Sequence, residues 1–110
     1  MQNLKTILNL FQNLDESVQV ITVQVFLEIA QHEELSSTQP LCVSDLMDRL
    51  HMSLAAASRH SRKLSAVRRQ GDAGLGLIDM VQDPITRNRK NLHLTTKGKR
   101  LYGDIERLLD

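Results

Sequence analysis

Ten positions between residues 53 and 90 of this 110-residue chain are suited to gripping a polyanion. They are Ser53, Ala55, Ala56, Ser58, Arg59, Arg62 and Lys63, followed by Arg87, Arg89 and Lys90. Guanidinium forks match both guanine edges and phosphate oxygens. Small residues such as Ala55 and Ala56 let a helix backbone come close to base edges. Ser53, just before a helical pattern, leaves backbone N–H groups at a helix start, where phosphate binds readily. The overall net charge of +1 conceals this arrangement. Residues 1–48 hold one base, Lys5, against seven acids. Residues 49–100 hold twelve bases against three acids, a net +9, and residues 101–110 carry −2. Such segregation presents a cationic face to a polyanion, while the acidic half limits indiscriminate sticking.

Other chemistries find little support. Cys42 is the single cysteine, so neither a disulfide nor a cysteine zinc site is expected, and its neighbours in sequence offer no base to activate it. It reads as a small buried hydrophobe. His32, His51, His60 and His93 share no metal-ligand spacing. His60, beside Arg59, suits a phosphate contact as well as a packed or solvated position. The run 71–76, Gly-Asp-Ala-Gly-Leu-Gly, lacks the lysine of a nucleotide loop and follows a helix, not a strand. Nothing places serine, histidine and aspartate as a triad, so neither an enzyme nor a cofactor is expected. With only Phe11, Phe26 and Tyr102 as aromatics, no base-stacking platform for single strands is expected. No apolar run approaches the roughly 18 residues of a membrane span. Residues 1–11 do not read as a secretory leader, and a reducing, cytoplasmic setting is expected.

These side chains need a scaffold, and the length suits one domain over residues 1–110. Leu4, Ile7, Leu8, Phe11 and Leu14 predict an amphipathic helix over 2–14. Thr22 is the expected cap of a second helix ending near Glu33, with Ile21 and Phe26 as a hydrophobic staple. After a polar loop, 41–43 predicts a short strand and Ser44 caps a two-turn helix burying Leu46, Met47 and Leu50. Ser53 caps the next helix, with Leu54, Ala57, Ser61 and Leu64 on one face and the cations on the other. Residues 77–82 and 91–94 predict a hairpin with turn chemistry from Asp83, Pro84 and Asn88. Thr95 caps a last helix with Leu101, Ile105, Leu108 and Leu109 as its apolar stripe. The fold class is mainly α with a small β-hairpin: two short helices in a helix-turn-helix, then a wing.

Residues 41–53 (Leu-Cys-Val-Ser-Asp-Leu-Met-Asp-Arg-Leu-His-Met-Ser) resemble the first half of the winged helix-turn-helix of MarR-type transcriptional regulators. Ala57-Ser58-Arg59 with Leu64 resembles that family's recognition helix. Gly76-Leu77-Ile78, Asp83-Pro84, Arg87 and the run Leu94-Thr95-Thr96-Lys97-Gly98 are similar to its strand, wing and post-wing helix start. The resemblance spans about residues 20–108. Departures occur at Met47, where a small residue is usual, and at His51, often glycine. Thr86 replaces the wing acid, and Asn88 stands where a second arginine is common. The stretch from Leu64 to Gly76 is longer than usual, implying an extended recognition helix over 53–70 or a loop.

The resemblance implies a homodimeric, sequence-specific regulator of transcription that binds double-stranded DNA, with repression as the expected outcome. The recognition helix 53–70 would enter the major groove, and the wing, 83–90, would reach the backbone or minor groove. Helices 2–14 and 96–109 would pair two copies through Leu4, Ile7, Leu8, Phe11, Leu101, Ile105 and Leu108; alternatively these stripes complete one small core. Family members carry longer dimerisation helices bordering an effector pocket, so whether a small effector binds is left open. Two other readings use the same fold: a protein-interaction module in a larger assembly, or a replication or partition DNA-binding protein.

Overall fold

The computed structural model describes residues 2–15, 18–35, 39–65, 74–86 and 88–109, with side chains from residue 5 to residue 108. Helix α1, Gln2–Leu14, forms where the apolar spacing predicts it. Helix α2, Val20–Leu35, is the spine of the molecule, burying Thr22, Val23, Val25, Phe26, Ile29 and Ala30. Thr22 does not cap this helix, as expected above, but lies within it. The Gln19 carbonyl accepts the N–H groups of Thr22 (3.0 Å) and Val23 (3.3 Å), starting the helix one turn earlier. The supposed staple pair, Ile21 and Phe26, therefore lies inside the helix.

Strand β1, Leu41–Cys42, runs directly into helix α3, Val43–Leu50. With no loop between them, Ser44 becomes the second residue of α3 and not its cap. The helix start is held instead by Asp45, whose carboxylate accepts the Cys42 N–H at 3.0 Å. His51 ends α3 in the left-handed region at φ 54°, the conformation glycine adopts most easily. Helix α4, Leu54–Leu64, follows at once, and Ser53 Oγ accepts the Ala56 N–H at 3.1 Å as predicted.

Helix α4 ends at Leu64, short of residue 70, because the sheet captures the chain. Ser65 is extended and bridges Ile78 in parallel, while the Leu64 carbonyl accepts the Leu77 N–H at 2.8 Å. Residues 66–73, with Arg68 and Arg69, lie outside the described residues. Strands β2, Ile78–Gln82, and β3, Lys90–Leu94, form the expected hairpin, and β1 adds to the free edge of β3, giving the order β1-β3-β2. Register pairs Met80 with Leu92 and Leu92 with Leu41, so one β3 leucine joins both partners to the core.

Helix α5, Thr96–Leu109, is locked to the sheet at its first turn. Thr95 Oγ1 accepts the Gly98 N–H at 3.0 Å and donates to the Gly76 carbonyl at 2.7 Å. A Cβ at Gly98 would lie 2.1 Å from the Leu77 carbonyl oxygen, so only glycine permits this approach. The chain's three aromatics meet edge to face across three helices. Phe11 and Phe26 are 5.3 Å apart between centroids, and Phe26 and Tyr102 are 6.5 Å apart. Consequently Ile7, Phe11 and Ile105, expected above to pair two copies, lie in this chain's own core. Leu8, Leu101 and Leu108 are partly buried against it, and the side chain of Leu4 lies outside the described residues.

Candidate nucleic-acid interface

Helix α4 packs on α2 and α3 through Ala57, Ser61 and Leu64, which turns its opposite face outward. Ser53, Ala55, Arg59 and Arg62 are exposed there, with Ala56 and Ser58 half-buried. The cap bond at Ser53 fixes the helix start. Leu54, expected on the inner face, is 54% exposed instead. Across from the end of α4 stands the wing, and between them runs a groove of about 420 Å³. Arg62 and Ser65 form one wall; Ile78, Asp79, Met80, Gln82 and Lys90 form the other. Arg62 and Lys90, 28 residues apart in sequence, thus reach one concave surface from two elements.

Two expected contacts, Lys63 and Arg89, fall elsewhere. Lys63 belongs to the inner side of α4, its side chain only 10% exposed, and its Nζ is hydrogen-bonded and ion-paired to Asp15 at the end of α1. Helical geometry explains this, since Lys63 sits beside the buried Leu64 and Ser61 positions while Arg62 faces away. Arg89 turns inward from the wing. Its Nη2 donates to the Pro40 carbonyl at 2.9 Å, its Nε donates to Asn91 Oδ1 at 3.0 Å, and Asp83 and Asp45 lie within 4 Å. Arg89 therefore braces the wing against β1 and α3 and does not project from it. Arg87 lies outside the described residues.

The brace has electrostatic consequences. Asp83 Oδ1 accepts the N–H groups of Ile85 (2.8 Å) and Thr86 (2.9 Å), forming the wing tip. The Thr86 N–H, then Asn91 and the Ile85 N–H, with Arg89 beyond, hold the Asp83 carboxyl below its ordinary value. At Asp45 burial opposes ionisation, but hydrogen bonds from Cys42 and the nearby Arg89 and Arg49 prevail, and its pKa is lowered. His60 is a packed residue and not a phosphate contact: it is buried, and its Nδ1 shares a 3.0 Å hydrogen bond with Thr22 Oγ1 of α2. Burial, and secondarily Arg59, push its pKa down. Cys42 is buried, as expected.

Sequence reasoning did not find the roles of Asp15 and Arg89. The Asp83, Arg89 and Asn91 triplet at the base of the hairpin was the available signal, because three mutually complementary side chains cluster there. No signal linked Asp15 to Lys63 across 48 residues.

The backbone has clear counterparts among solved structures. A crystal structure of MarR superposes with TM-score 0.62 over 96% of this chain and 71% of that one, at 20% identity. A MarR-like transcriptional regulator from Thermotoga maritima superposes with TM-score 0.63 over 98% of this chain and 73% of that one, at 18% identity. The fold is therefore the MarR-type winged helix, mostly helical with a small three-stranded antiparallel sheet. No family sequence model and no curated protein sequence matches the chain. None of the described helices is long and apolar enough to cross a membrane.

Proposed function

We propose that this chain is a sequence-specific duplex-DNA-binding regulator of transcription, acting as a homodimer and repressing where it binds. The observation that carries this reading is the convergence of Arg62 from α4 and Lys90 from the wing on one groove. Arg59 stands exposed on the same helix, beyond the small residues of its first turn. In this arrangement the first turns of α4 approach base edges, Arg59 reads them, and Arg62 and Lys90 hold phosphates. The MarR-type fold and the regulator named among its structural neighbours support the same direction. Pairing of two copies then rests on exposed or partly buried apolar residues such as Leu8, Leu14, Leu101 and Leu108, not on Ile7, Phe11 or Ile105.

Selection from a random duplex pool, followed by titration at two salt concentrations, tests the proposal. A symmetric selected site and an affinity that falls steeply with salt are expected, because each neutralised phosphate releases counterions. Arg59→Ala should weaken binding to the selected site by about 1–3 kcal/mol while sparing random duplex. Salt-insensitive or absent binding to every duplex overturns it. The engagement of Lys63 and Arg89 inside the protein thins the cationic face, and this favours the second reading, a protein-interaction module, should duplex binding fail.

A further inference from the structure

The two leucines of α4 have opposite fates. Leu64 is fully buried in the core, whereas Leu54, the first residue of the helix, is 54% exposed. Holding the helix does not require Leu54. Ser53 caps it through the Ala56 N–H, and the apolar residues that pack this end onto the core are Met52, just before the cap, and Ala57. Leu54 belongs instead to the outward side. Leu54, Ser58 and Arg62 follow at intervals of four, so they form one row along the helix. Arg62, at the end of this row, lines the cationic groove together with Lys90. An uncharged isobutyl group thus stands at the head of a row whose tail is a guanidinium in the groove.

We infer, resting on the duplex reading above, that Leu54 is a specificity-determining residue whose side chain packs on the C5 methyl of a thymine in each half-site. In the major groove the base edges present hydrogen-bond donors and acceptors and one apolar group, the thymine methyl. The leucine side chain neither donates nor accepts, so that methyl is the feature through which it tells bases apart. Over guanine, cytosine or adenine it would cover polar atoms and give no hydrogen bond in return, a penalty that adds to the preference. Its place in the first turn suits the part. The neighbours Ser53, Ala55 and Ala56 are small, so the backbone can come close enough for a short side chain to reach a base. Arg59, five residues further along, supplies the opposite kind of readout, hydrogen bonds to a base edge.

Deoxyuridine differs from thymidine only by that methyl, so the test exchanges one for the other. Each thymine of the selected duplex is replaced in turn, and the affinity of the whole chain is measured by titration at fixed salt. At one thymine per half-site the exchange should weaken binding about fourfold, the worth of one buried methyl. Leu54→Ala should weaken binding to the thymine duplex about fourfold or more and remove most of the difference between thymine and uracil at that position. Arg59→Ala should leave the difference intact, and Leu54→Met, still apolar, should retain it. Leu54 is exposed, so its variants should keep the fold. Should Leu54→Ala nevertheless unfold, Leu54→Gln, which keeps the reach and loses the apolar surface, repeats the comparison. If no thymine is sensitive, or if every sensitive thymine is equally so in the Leu54 variant, the assignment is overturned while the duplex reading stands. Binding to no duplex at all overturns both.

Discussion

The groove between α4 and the wing and the cleft between α2 and α5 are similar in size and opposite in charge, yet share a strand. Lys90 opens β3 in the cationic groove, and Leu92, His93 and Leu94 continue it into the acidic cleft. A net charge near zero therefore describes neither surface. Charge has been sorted by tertiary placement, with β3 as the divider and the tails of α2 and α4 as the two poles. The groove presents Arg62 and Lys90 against one acid, Asp79, whereas the cleft presents Glu33, Glu34 and Glu106 against one ammonium, Lys99, around the buried Leu41, Leu92 and Leu94. The comparison also separates cations that face solvent, Arg59, Arg62 and Lys90, from those used internally, Lys63 and Arg89.

The contrast breaks most severely at Gly98, where α5 meets the sheet and walls the acidic cleft. Gly98→Ala places a methyl against the Leu77 carbonyl and should cost about 3 kcal/mol of stability, measured by urea unfolding. Adjacent cations provide the next test. Lys63→Ala removes the ammonium that pairs with Asp15 and should destabilise the fold by about 2 kcal/mol, less than a fully buried pair because Asp15 is partly exposed. Arg62→Ala should leave the unfolding free energy within about 0.5 kcal/mol and weaken duplex binding instead. Equal stability losses at the two positions would refute the division into internal and external cations.

A smaller effect is expected at Lys90. Lys90→Ala should lower affinity for all duplex sequences alike and reduce the slope of log affinity against log salt by about one. The smallest concerns His60, which the fold keeps neutral against Thr22. Its folded pKa lies below the ordinary value of 6.5, so the unfolded chain takes up the proton first as pH falls. Its contribution is fully present above pH 6.5 and is lost as pH drops toward the folded value. His60→Gln should flatten the stability profile in that window, leaving the acid losses from Asp45 and Asp83 below about pH 4.

The periodicity of α1, the Ser53 and Thr95 caps, the hairpin and the Gly98 run were legible in the residues because each depends on neighbours within a few positions. Helix ends were less so. Thr22 resembles a cap but is needed as a partner for His60, and α4 stops at Leu64 because Ile78 pairs with Ser65, a contact 13 residues away. In the candidate interface, the chain's order of residues determined that a cationic stretch accompanies a helix-turn-helix and a wing. It did not determine which cations reach solvent. That was decided by packing: the rotation of α4 against α2 sends Lys63 to Asp15, and the closure of the hairpin on β1 draws Arg89 to Pro40. A charge is assigned by local sequence, but its exposure depends on what folds beside it. The acidic cleft was invisible beforehand for the same reason, since its walls come from α2, β1, β3 and α5, which meet only once the core is buried.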